Sequence, residues 1–177
     1  RIQGKVYGSD ISSAKLFDGF LSFIEEARSL GHKLFVISHR SRFPAWGKEI
    51  DLHETALQWL KVKGLLSSDS IPLENCFFET TLDNKIKRIG MTNCSIFIDD
   101  LVQVLGHINF PRSTQQVLFG QPHDSFSFFS HWNEAKNLLT QGQSQNPSKT
   151  DEKIWSTLPS TQHKDCFFEL LRKKGKG

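Results

Sequence analysis

Four short apolar runs, set between amphipathic stretches, constrain this chain more than any other feature. They are Lys33–Ser38 (KLFVIS), Cys76–Glu79 (CFFE), Ser95–Ile98 (SIFI) and Gln116–Phe119 (QVLF). The first, almost continuous and bounded by Gly31 and a polar loop, marks a strand buried on both faces, as in a parallel sheet. Behind Ser12 and Ser13, the residues Leu16, Phe20, Phe23, Ile24, Ala27 and Leu30 recur at three- and four-residue steps. They predict a helix from Leu16 to Leu30 that Gly31 closes in left-handed form. Leu52, Ala56, Trp59 and Leu60 predict a second helix to Lys63, with Asp51 as N-cap and Glu54 completing a capping box. A third helix is expected over Asp83 to Gly90, a helical turn over Leu101 to Leu105, and a last helix from His131 to Leu139. This alternation predicts an open, mostly parallel, Rossmann-like α/β sheet with helices on both faces.

Composition narrows the classes that remain. Of the 177 residues, 37% are hydrophobic and 23% charged. That supplies a core and excludes wholesale disorder or a fibrous chain. No run approaches the ~18 apolar residues of a membrane span, and no secretory apolar region is present. The net charge is +3, and the basic excess sits in the tail with Arg172, Lys173, Lys174 and Lys176. The body is close to neutral, which argues against a nucleic-acid surface. Three cysteines without C-x-x-C spacing point to a reducing, cytoplasmic compartment. The expected organisation is an α/β domain over 1–140, a polar linker over 141–150 (QGQSQNPSKT), and the start of a C-terminal domain over 151–177. In that last segment Cys166, Phe167, Phe168, Leu170 and Leu171 look helix-like. Opening on Arg1 and closing on Arg-Lys-Lys-Gly-Lys-Gly, the chain is expected to be cut at both ends.

In open α/β sheets ligands collect at the carboxyl ends of the strands. Those ends carry Ser38, Glu79 to Thr81, and the pair Asp99–Asp100. Two adjacent carboxylates closing an apolar strand are costly without a cationic partner. Mg²⁺ suits an open, oxygen-rich site; alternatively one Asp caps the turn at Leu101. A hydroxyl at Ser38, ahead of His39 and Arg40, can hold a phosphate oxygen or simply end a strand. Lys85, at the start of the third helix, can neutralise phosphate or orient a carboxylate; Lys87 competes with it.

Taken in order, KLFVISHRS, DNKIKRI and SIFIDD resemble the haloacid dehalogenase-like (HAD) superfamily over residues 4 to 139. SHRSRFPAWGKEIDLHETALQWL and FIDDLVQVL, followed by FPRSTQQVLF, look closer still to a subgroup often joined to an aminoglycoside-phosphotransferase-like kinase domain. The resemblance implies a Mg²⁺-dependent phosphohydrolase working on a small phosphorylated molecule through an aspartyl-phosphate. Ser38 would bind the transferring phosphoryl, Lys85 would screen charge, Asp99 would ligate the metal, and Asp100 would orient a metal-bound water or Lys85. It also implies a kinase-like fusion beginning within 151–177.

The family nucleophile, the first Asp of D-x-D, has no match here. Phe17–Asp18–Gly19 mimics the motif but has Leu16 at the nucleophile position and falls inside the first helix pattern. Glu49–Ile50–Asp51 comes after the Ser38 motif. The strand that carries the motif, central in the family order, is missing too. The strands at 33–38 and 95–98 are then expected to flank a gap of ~9–10 Å, from the ~4.8 Å strand repeat, or to pair directly. Other strands of this chain in a wide interval would count against that fold. The alternative function is a non-catalytic module that docks or regulates an attached phosphotransferase. His53–Glu54 lacks the second His of a zinc-protease helix. Phe126, Phe128, Phe129 and Trp132, with no interleaved bases, read as a lid or core cluster rather than a base-stacking platform.

Overall fold

The computed structural model describes residues 14–45 and 50–140, together with the backbone of 166–167. After a turn at Asp18–Gly19, α1 spans Phe20–Ser29. β1 is Val36–His39, α2 Leu52–Val62 and β2 Cys76–Glu79. They are followed by α3 (Leu82–Thr92), β3 (Ile96–Asp99), α4 (Val102–Leu105) and β4 (Gln115–Phe119). β5 (Ser127–Phe129), α5 (Lys136–Thr140) and β6 (Cys166–Phe167) complete the order. Every pairing is parallel, and the strand order is β2-β1-β6-β3-β4-β5. The expected α/β class with parallel strands is what forms.

Strand alternation divides the core in two. Val36, Ile96, Ile98, Val117 and Phe129 pack with Phe20, Phe23, Ala27, Ala56, Trp59, Trp132 and Leu139. Ile37, Phe97 and Leu118 instead join Ile86, Ile89, Val104, Leu105 and Phe110. One face is thus covered by α1, α2 and α5, the other by α3 and α4. Trp132 centres the first core, its ring 4.8 Å from that of Phe129 and 5.0 Å from that of Phe20.

Helix ends follow local chemistry. Asp51 caps α2, its carboxylate accepting from the His53 and Glu54 amides. The Glu54 carboxylate turns to Gln58, 2.8 Å away, so the expected capping box is only half made. The Arg42 side chain, and after it the Glu54 amide, hold the Asp51 carboxyl below its ordinary value. A lowered folded value means that this cap contributes at neutral pH and is lost as pH falls through it. Thr81 caps α3 through the Asn84 amide. The first helix starts four residues later than its periodicity predicts, because Gly19 sits at φ 82° as its N-cap. Asp18–Gly19 is therefore a turn, not helix, and its carboxylate is exposed. A Cβ on Gly19 would stand 2.5 Å from Asn133 Oδ1, whereas one on Gly31, also at φ 82°, would meet nothing. Gly31→Ala is expected to cost about 1–2 kcal/mol for the left-handed backbone alone. Gly19→Ala should cost clearly more; equal losses in denaturant melts would contradict the clash.

Three further expectations change. Of the lid-or-core cluster, Phe129 and Trp132 join the core, but residues 127–129 form β5, on which Phe128 is exposed. The last helix begins at Lys136, after turns over 132–135. Residues 166–167 are strand, not helix, and pair within the main sheet. They occupy the interval between β1 and β3, where an open gap or direct pairing was expected. This departs from the sheet expected to lack its central strand, since the chain itself fills the place. The interval remains one strand wide. Its two borders are rows of backbone donors and acceptors, a template for any extended apolar segment. Ser12, Ser13, Glu49 and the linker 141–150 lie outside the described residues.

Candidate functional site at the carboxyl ends of the strands

Lys85 is the most buried charged side chain of the described residues, 0% exposed. It lies on the inward face of α3 with Ile86 and Ile89. A helical side chain leans toward the helix N-terminus. Since α3 follows β2 after two residues, that direction carries the ammonium to the carboxyl rim of the sheet. There Lys85 Nζ meets Asp99 Oδ2 at 2.6 Å, with both side chains fully enclosed. The Phe97 ring centroid lies 5.6 Å from the same ammonium. The other Asp99 oxygen, Oδ1, accepts from the Leu101 amide at 2.9 Å. Asp99 thus has the Lys85 ammonium as its cationic partner and also accepts from the amide that opens the turn into α4.

Ser38 lies at the same end of the sheet. Val36 and Ile98 both align with Phe167, so Ser38 is level with residue 100, two strand places away, about 10 Å at the usual spacing. Ser38 is 1% exposed. Its Oγ accepts from Arg40 Nε at 3.2 Å. Lys85 and Asp99 are thus brought together, while Ser38 shares their rim two strand places away and is held by Arg40. Alternation places Ser38 on the face of Val36 and Asp99 on that of Phe97. Asp100, half-buried, follows β3 directly. Lys87, the competing lysine, is exposed.

The loop after β1 carries residues that apolar patterning could not single out. The Arg40 guanidinium lies 5.8 Å from the Phe78 ring centroid. The His53 ring stacks on Phe78 at 5.3 Å and 24°. His53 Nε2 is 3.1 Å from the Arg40 carbonyl, and the Arg40 amide donates to the Glu79 carbonyl at 2.8 Å. The available signal was a cation two residues beyond a strand-ending serine. Nearby, Arg88 pairs with Glu79 at 2.7 Å and lies over the Phe77 ring.

Among the described residues no group of three or more His, Cys, Asp or Glu comes together, and each Asp99 oxygen already accepts one hydrogen bond. Of the acidic candidates elsewhere, Asp18 is in the turn before α1 and Asp51 caps α2. Cys76 at the start of β2 is no alternative, because burial, with Glu74 adding to it, pushes its thiol up to about 12. A thiol so protonated reacts slowly. Cys76 is expected to resist alkylation at pH 8 in the folded protein and to label on unfolding; rapid native labelling by mass spectrometry would contradict this.

A cavity of about 850 Å³ opens at the other end of the strands, lined among others by Arg28, His32, Lys33, Asp69, Glu74 and Asn75. Its lining mixes acidic, basic and apolar residues. No described helix is long and apolar enough to cross a membrane. Comparison with protein-family models, with curated proteins and with solved structures gave no match, so the buried Lys85–Asp99 pair, on the same rim as Ser38, is the feature from which function is inferred.

Proposed function

We propose that this rim is the phosphoryl site of a HAD-type phosphohydrolase domain with a Rossmann-like sheet, acting on a small phosphorylated molecule in the cytoplasm. The observation that carries the reading is the fully enclosed Lys85–Asp99 pair at the carboxyl end of β3. A buried pair adds little net stability over apolar residues of the same volume. Its placement at the ligand-binding end of a parallel sheet is better explained by chemistry. Ser38 supplies a hydroxyl for a phosphoryl oxygen, and Lys85 fixes the orientation of Asp99. Mg²⁺ belongs to the proposal as a weakly held ion with Asp99 and Asp100 as its carboxylates. The described donor set does not complete its site, and no step is derived through it.

The absence of a D-x-D motif from residues 1–177 favours a second reading, a non-catalytic module that docks or regulates an attached phosphotransferase. The coding sequence ahead of residue 1 separates the two. An apolar strand ending in D-x-D, with phosphate-ester turnover by the longer chain that Asp99→Asn abolishes, supports the enzyme. A longer chain with no such motif and no turnover supports the module.

A further inference from the structure

We propose that Arg40 is a ligand-binding residue of this rim and that it receives the negative charge of a phosphoryl group. The inference rests on the phosphoryl reading of the rim and deepens it. Ser38 is almost fully enclosed at the end of β1, and the Arg40 guanidinium reaches its hydroxyl, Nε lying 3.2 Å from Oγ. The Ser38 hydroxyl has one donor and two acceptor positions. Accepting from Arg40 Nε leaves the Ser38 hydrogen to donate onward. The positive charge of Lys85 is already matched by Asp99 at 2.6 Å. A dianion at the rim therefore needs a further cation, and a guanidinium can meet two phosphoryl oxygens at once.

Arg40 is also held in place before any ligand arrives. Its amide is fixed to Glu79, its carbonyl lies 3.1 Å from the His53 ring nitrogen, and its guanidinium rests near Phe78, whose ring stacks with His53. Strand β2 and helix α2 thus both position one side chain of the loop after β1. Groups fixed in advance lose less freedom on binding.

The test is titration of the 177-residue protein with inorganic phosphate by calorimetry, for the wild type and for Arg40→Met, Arg40→Lys and Ser38→Ala. Arg40→Met is expected to weaken binding about ten- to a hundredfold, as loss of a charge-assisted contact does. Arg40→Lys should recover part of that loss, which a purely structural role would not produce. Thermal melts of each variant identify any that fail to fold, in which case Arg40→Lys carries the comparison through the loss of its bidentate contact. Weakening by Ser38→Ala with no change in either Arg40 variant overturns the role of Arg40 and leaves the phosphoryl site standing. No measurable binding by the wild type, or binding that none of the variants alters, overturns both.

Discussion

Lys85→Met is expected to lower the unfolding free energy by about 3–5 kcal/mol, because it strands the enclosed Asp99 carboxylate without its cation. The size follows from desolvation. A carboxylate held away from water relies on its partners, and here only the Leu101 amide would remain of the two contacts described. Asp99→Leu is expected to cost a similar amount by removing the carboxylate paired with the enclosed Lys85. The double variant removes both charges and should regain most of the loss, since apolar pairs of similar volume replace buried ion pairs at little cost. Against a total stability of about 5–15 kcal/mol, each single change is a large fraction. Denaturant unfolding of the four proteins forms a double-mutant cycle. Strictly additive losses would show that the two groups do not depend on one another. Full recovery of stability in the double variant would leave function as the reason for the pair.

Turnover carries the second large effect. The chain over residues 1–177 is expected to hydrolyse no small phosphate ester and to bind Mg²⁺ weakly at best. Covalent phosphoryl transfer through an aspartate needs a nucleophilic carboxylate at the reacting phosphorus. Among the described residues, Asp99 is committed to Lys85 and Leu101, Asp51 caps α2, and Asp18 stands in the turn before α1. Mg²⁺ keeps most of its waters and relies on few carboxylates, so losing even one weakens it markedly. The positioning groups cannot replace the covalent path. Release of p-nitrophenol from its phosphate by purified 1–177, abolished by Asp99→Asn, would mean that an unrecognised nucleophile lies within the chain.

Local chemistry explains which parts of this architecture were legible. Strand β2 and the N-cap of α2 could be read to the residue, because Cys76–Glu79 is bounded by turns and Asp51 directly precedes an apolar period. Lys85 could be placed at the rim from its position after β2, and its burial shows in its company, Ile86 and Ile89 on one helical face. The start of α1 was hidden because Leu16 keeps the apolar period while Gly19 breaks the backbone geometry. Strand β5 was hidden because only Phe129 of its three residues is buried. The pairing of Cys166–Phe167 between β1 and β3 joins segments more than sixty positions apart, and no local pattern specifies such a partner. The Arg40, Phe78 and His53 assembly has the same origin: three elements converge, and none announces it alone.

The central claim is that phosphate is recognised at the carboxyl rim of the sheet. Its most direct test is an amide chemical-shift titration of the ¹⁵N-labelled protein with inorganic phosphate. The account predicts shifts that cluster at residues 38–41, 81–85 and 99–101 and saturate together. Shifts confined to residues 28–35 and 68–75, around the cavity at the opposite end of the strands, would contradict it.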